Sequence, residues 1–223
     1  MAKEVDFYQI VYKDEHLKEI YPFARPYKNT NLSDYFENDV IQNLVPKSDA
    51  KYISVCSWRL KEKREMGSCP FILGDTSLSK AKIVGQDADI MNLRPFRKEH
   101  QALRMAANWH FPNWEPCLKE LKKFIKVPEE ISNPIYENHF VARKEIYHDY
   151  VLNTLRPCMA FIADRADIFG RDSGYLSKLR REPERVKEYQ EKTGRKDWPM
   201  TPFVLERLFS IWIEGKGFKV INL

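Results

Sequence analysis

Lys51-Tyr52-Ile53-Ser54-Val55-Cys56-Ser57-Trp58-Arg59 is the stretch that decides the fold of this chain. Its β-branched and aromatic residues form a near-continuous apolar run, which reads as a strand buried on both faces. Upstream, Val5-Asp6-Phe7-Tyr8-Gln9-Ile10-Val11-Tyr12 reads as a first strand. Between the two, Ser33 is placed to cap a helix from Asp34 to about Leu44, with Tyr35, Phe36, Val40, Ile41 and Leu44 as apolar contacts. Strand, helix and second strand predict a βαβ unit and a mostly parallel α/β sheet flanked by helices.

Working outward, a polar helical turn is expected at 14–20, and Pro22 and Pro26 predict an extended loop through Asn31. Asp89-Ile90-Met91-Asn92-Leu93 reads as a short third strand closed by Arg94-Pro95, and helices are predicted over 97–109 and 114–126. The run from Pro134 to Ala142 reads as a further strand leading into a long helix from Lys144, which Pro157 should kink. Residues 165–175 read as a mobile or substrate-covering loop, and 176–192 as a charged helix. A C-terminal helix follows, with Thr201 as N-cap and Pro202 in the first turn. Val204, Leu205, Leu208, Ile211 and Trp212 form its apolar stripe. Phe203, Glu206, Arg207 and Ser210 fall on the other side, where a Glu-Arg pair must be matched by partners or face a cleft. A small last strand is expected from Phe218 to Ile221. No internal repeat or low-complexity linker interrupts the chain, so residues 1–223 read as one domain.

The 223 residues are 43% hydrophobic and 13% aromatic, enough for a sizeable core and too apolar for disorder. There is no apolar run long enough to span a membrane and no apolar leader-like segment, so a cytoplasmic protein is the expectation. The net charge of +5 is spread among interleaved acids and bases. This argues against a nucleic-acid partner, although the basic stretch 178–196 leaves room for peripheral contact with an anionic membrane surface. Cysteines at 56, 69, 117 and 158 have no knuckle spacing, and Cys56, Cys117 and Cys158 read as buried free thiols. The five histidines lack zinc-type spacing, and no glycine-rich phosphate loop is present.

Open α/β sheets bind ligands beyond the carboxyl ends of their strands. Arg59 follows the second strand, where a guanidinium holds a carboxylate or pyrophosphate and Trp58 stacks on a ring; the competing reading is a rim Arg and a core Trp. Asp87-Ala88-Asp89 has the DxD spacing that holds a divalent metal, but it precedes its strand, which favours a turn or strand-edge role. Asn138 and His139 interrupt an apolar run; they suit sugar hydroxyls or, for His139, a base, and equally suit an internal hydrogen bond. Tyr27, Asn29, Glu37 and Asn38 are placed to approach a base or ribose if the first strand opens a nucleotide half-site.

Taken in order, four segments resemble a bacterial glycosyltransferase-like family associated with exopolysaccharide and lipopolysaccharide biosynthesis. Tyr52 to Arg59 resembles its Tyr-Ile-Gly-Leu-Cys-His-Tyr-Arg-Arg segment, and Ala88 to Pro95 its Tyr-Asp-Ile-Ile-Leu-Pro-Lys-Pro segment. Asn138 to Ile146 resembles Asn-Met-Phe-Ile-Met-Lys-Lys-Glu, and Phe203 to Trp212 the closing Gly-Phe-Leu-Ala-Glu-Arg-Leu. The resemblance covers about residues 50–213 and implies a GT-A-like fold, a Rossmann-like, mostly parallel sheet acting on a nucleotide-sugar donor and a saccharide or lipid-linked acceptor, with about 1–95 as the nucleotide-binding half and about 96–223 as the helical, acceptor half. Arg59, Asp89, Asn138, Glu206 and Arg207 occupy matching positions. They imply Glu206 as base or acceptor ligand, Arg59 and Arg207 as phosphate-balancing cations, and Asn138 and His139 on sugar hydroxyls. Ser57-Trp58 replaces His-Tyr and His139 replaces an apolar residue, which bears on donor choice. Mn or Mg with the nucleotide-sugar is the cofactor that the resemblance implies, yet no dependable DxD follows the second strand. The alternative expectation is a catalytically inactive relative that binds a saccharide or a protein.

Overall fold

The computed structural model describes residues 4–30, 33, 35–65, 77–95, 103, 113–178 and 183–223. Its strands are β1 (Val5–Val11), β2 (Arg25–Lys28), β3 (Tyr52–Ser57), β4 (Ile90–Asn92), β5 (Phe140–Arg143) and β6 (Val220–Asn222). They form one sheet in the order β2-β1-β3-β5-β4-β6. The pairs β1–β2, β1–β3 and β4–β6 are parallel, and β5 runs antiparallel to both its neighbours. The expected βαβ unit is therefore present, inside a mixed sheet with one reversed strand.

The helices are α1 (Glu37–Leu44), α2 (Leu60–Glu65), α3 (Lys80–Val84), α4 (Trp114–Phe124), α5 (Lys144–Tyr150), α6 (Arg156–Ala163), α7 (Ala166–Phe169), α8 (Tyr175–Lys178), α9 (Pro183–Thr193) and α10 (Thr201–Ile213). Side-chain alternation along the strands divides the core in two. Ile10, Ile53, Val55, Ile90, Phe140 and Ala142 face the larger layer of α1, α4, α5, α6 and α10. Val5, Phe7, Tyr52, Cys56, Met91 and Val141 face the smaller one with Leu60, Leu78 and Ile83. Each buried Leu or Phe contributes about 1.5–3 kcal/mol to such a core.

Several local expectations are corrected. The segment with Pro22 and Pro26 contains an edge strand, β2, in which Pro26 pairs with Gln9. A proline is tolerated there because an edge strand can leave one N–H position unused. The strand expected from Pro134 is cut to Phe140–Arg143, because Glu137 and Asn138 both take left-handed backbone, φ 57° each. Helix α1 starts late, at Glu37, behind a left-handed Phe36 (φ 50°). Ser33 instead accepts from the Tyr35 N–H, and its hydroxyl donates to Asp39. The long helix from Lys144 widens into a π turn, Val151–Leu155, immediately before Pro157. The wider turn accommodates a ring that would otherwise collide with the carbonyl of Asn153. Thr201 is the first helical residue of α10, after the cap Met200, and its hydroxyl donates to the Phe169 carbonyl. Residues 165–175 contain the short helix α7, and the Ser173 N–H donates to the Trp198 carbonyl at 2.8 Å. The helix predicted over 97–109 lies almost wholly outside the described residues, as does Cys69. Cys56, Cys117 and Cys158 are buried free thiols, each pushed up to about 12 by burial. Among the described residues no helix is long and apolar enough to cross a membrane.

Candidate functional site

Strands β1 and β3 run parallel and end at the same edge of the sheet, which delivers Tyr12, Ser57, Trp58 and Arg59 together. Because β5 is reversed, the turn entering it, with Glu137, reaches that same edge. A cavity of about 510 Å³ opens there, within the usual range for small-molecule sites. Its walls also take Phe36 and Glu37 from the start of α1, Glu62 and Lys63 from α2, and Glu206 from α10.

Helix α10 is buried nearly all round, yet Glu206 keeps 23% of its side chain exposed, toward this cavity. Burial pushes the Glu206 carboxyl up to about 8, with Glu137 and Glu37 adding to the rise and Arg207 opposing it. Glu37 is also raised, chiefly by burial, and accepts a hydrogen bond from Tyr12 Oη at 2.9 Å. Glu137 behaves oppositely. Burial alone would raise it, but the charges of Lys63 and Arg94 hold it down to about 2. Lys63 Nζ stands 2.5 Å from Glu137 Oε2, and Arg94 Nη1 donates to the same oxygen. One cavity thus holds two carboxyl groups whose environments drive their proton affinities apart, a pattern of acid/base sites.

Backbone strain concentrates here as well. Phe36, Glu137 and Asn138 are the non-glycine residues with positive φ among those described, and Phe36 and Glu137 both line the cavity. Such conformations cost about 1–3 kcal/mol each and persist where the surroundings over-determine them.

The structure brings Trp58, Arg59 and Glu206 together around the cavity. Trp58 stacks on His16, ring centroids 3.8 Å apart. Arg59 is clasped by Glu62, with Nε to Oε2 at 2.9 Å and Nη2 to Oε1 at 3.1 Å. The other expected residues lie elsewhere. Asn138 is buried behind the wall, its carbonyl accepting from Cys56 Sγ and the Phe140 N–H. His139 is fully buried, Nδ1 3.4 Å from Glu137 Oε2, and burial pushes its imidazole down to about 3. It is a neutral ring backing Glu137 and does not reach the cavity. Arg207 turns away from the cavity into the core, over the rings of Trp114 and Tyr136, and donates to the Phe203 carbonyl. Asp89 stands at the amino end of β4, on the opposite edge of the sheet, where Arg143 Nε (3.1 Å) and the Lys219 N–H (2.9 Å) engage it. Asp87 pairs with Lys219 and Arg143 at that edge. The Asp87–Asp89 pair therefore does not fit a donor-associated Mn or Mg site. Among the described residues no group of three or more His, Cys, Asp or Glu is arranged to hold a metal.

Glu137 is the main residue that sequence reasoning passed over. Its neighbours Asn138 and His139 drew attention as polar residues in an apolar run, and the same signal extended one position further. Tyr12 and Lys63 carried no local signal at all. Compared with protein-family models, curated proteins and solved structures, the chain matches none.

Proposed function

We propose that this chain is a glycosyltransferase that passes a sugar from a nucleotide-sugar donor to a hydroxyl of a saccharide or lipid-linked acceptor in surface polysaccharide synthesis. A GT-A-like reading is compatible with the mostly parallel sheet and its single reversed strand. The observation that carries the proposal is Glu206, a carboxyl of raised proton affinity facing a cavity beside Arg59 at the carboxyl edge of that sheet. In its ionised form Glu206 is a stronger base than an ordinary carboxylate. It takes the acceptor proton as the acceptor oxygen bonds to the anomeric carbon, and the bond from that carbon to the diphosphate oxygen breaks with its electron pair. Arg59 and Lys63 stand near enough to balance the departing charge.

A second reading is favoured by one observation. Arg59 is bound by Glu62, and Lys63 by Glu137, so both cations already have anionic partners. A saccharide-binding protein without transferase activity is consistent with that pairing. Hydrolysis of a panel of nucleotide-sugars, with and without manganese, separates the two. Turnover that disappears in Glu206→Gln supports transfer chemistry; no turnover with any donor and any acceptor favours the binding module.

A further inference from the structure

The two oxygens of the Glu137 carboxylate are not equivalent. Oε2 pairs with Lys63 Nζ at 2.5 Å and with Arg94 Nη1, and stands 3.4 Å from Nδ1 of the neutral His139 ring. Among the described residues no hydrogen bond is made to Oε1. Oε1 is not sealed in the interior either, for the side chain is 30% exposed and lines the cavity.

The backbone fixes where that carboxylate stands. The His139 N–H donates to the Tyr136 carbonyl at 3.0 Å and closes a tight turn around Glu137 and Asn138. Both central residues have φ 57° although neither is glycine, and this handedness is that of a primed turn. A strained turn at one end and two cations at the other leave the carboxylate little freedom to lose when a ligand meets Oε1.

The chemistry of that ligand group follows from the charges around it. Lys63 and Arg94 keep Glu137 ionised at neutral pH, so Oε1 accepts hydrogen bonds and donates none. An ammonium or a metal ion placed there would meet two positive charges already on the same carboxylate, whereas a neutral hydroxyl would not. Lys13, Arg59 and Lys63 line the same cavity and offset negative charge elsewhere on the ligand. A diphosphate in the cavity and a hydroxyl on Glu137 are therefore compatible.

We propose that Glu137 is a specificity-determining residue of this cavity, its Oε1 accepting a hydrogen bond from one hydroxyl of the bound saccharide while Lys63 and Arg94 hold Oε2. This rests on the saccharide reading of the cavity given above. It applies equally to a sugar that is transferred and to one that is only bound.

The test is calorimetry on the full chain with glucose, galactose and mannose, each free and as its nucleoside diphosphate ester (uridine for the first two, guanosine for mannose). Each sugar hydroxyl is replaced in turn by fluorine, which has similar size and cannot donate. At least one parent probe should bind, and at least one of its fluoro analogues should bind tenfold or more weakly. In Glu137→Gln, whose uncharged amide is a poorer acceptor, that ratio should shrink to about threefold or less. The ratio compares two ligands on one protein, so a general loss of stability does not move it. If circular dichroism shows Glu137→Gln to be misfolded, Glu137→Asn decides, since asparagine tolerates left-handed backbone and its shorter side chain withdraws from the ligand. An analogue with an ammonium in place of the same hydroxyl should bind no better than the parent; tighter binding overturns the proposal. So does a fluoro series without a penalty at any position, or a penalty that persists unchanged in the folded variant. In those cases saccharide still binds, and the reading of the cavity stands without Glu137. Failure of every probe to bind overturns the proposal and the saccharide reading together.

Discussion

Glu206 and Arg207 are adjacent in sequence, yet the closest approach between their charged groups is a loose 3.9 Å, from Arg207 Nη1 to Glu206 Oε2. The pair does not close on itself. One turn of α10 places the carboxyl at the cavity and sends the guanidinium into the core against Trp114 and Tyr136. A motif that reads as one ion pair is therefore divided between a chemical role and a structural one.

The pH dependence of Glu206 gives the first prediction. If it acts as the base, the rate rises with pH and levels off above about 8, the value to which its carboxyl is raised. The stability effect has the opposite direction. Between its ordinary value of 4.5 and about 8 the folded chain holds a proton that the unfolded chain has released, so stability falls as pH rises through that window. Glu206→Gln should remove the rise of activity with pH, lower the rate by roughly 10²–10⁴, and flatten the pH dependence of the urea midpoint over the same window.

Glu137 should show the reverse linkage. Its carboxyl is held down to about 2, so its stabilising contribution is complete above the ordinary value of 4.5 and is lost as pH falls from there toward 2. Glu137→Gln should destabilise the fold by about 1–3 kcal/mol, because Lys63 and Arg94 lose a shared anion. Its part in acid unfolding should disappear with it. Urea titrations at pH 7 and pH 3 measure both effects; equal midpoint shifts at the two pH values would contradict this account.

Arg59 and Glu62 make a prediction with two signs. Arg59→Ala should weaken uridine or guanosine diphosphate at least tenfold while leaving the melting temperature nearly unchanged, since the pair is about a third exposed. Glu62→Gln should strengthen the same binding by releasing the guanidinium. Calorimetry with both nucleotides decides it, and unchanged affinity in both variants removes Arg59 from the donor site.

Arg207 should act on stability first and on Glu206 second. Arg207→Ala leaves a gap beneath two aromatic rings and should cost about 2–4 kcal/mol. Arg207 opposes the rise of the Glu206 carboxyl, so Arg207→Met, which refills the volume without charge, should move the ascending limb of activity above about 8. A limb that stays in place would show that the two side chains are electrically independent.

What the sequence determined by itself is local. The apolar runs at β1, β3 and β4 announce strands because β-branched and aromatic side chains suit a pleated, buried surface. Proline at 157 announces a helix defect, and the all-round apolar character of α10 makes Glu206 conspicuous. Trp58, Arg59 and Glu206 could be picked out because each stands where a short-range pattern breaks. Tertiary structure alone decided the rest. Alternation along β5 is the same whichever way the strand runs, so its reversal, which carries Glu137 to the cavity edge, depends on pairing with β3 and β4. The left-handed turn at Glu137-Asn138 has no glycine to betray it and is held by packing and by Lys63 and Arg94. Arg207 and Asp89 resemble site residues in their segments, but one is claimed by the core and the other by the far edge of the sheet. Propensity acts over a few residues, whereas Arg94 reaches Glu137 from 43 residues away and Lys219 reaches Asp89 from 130.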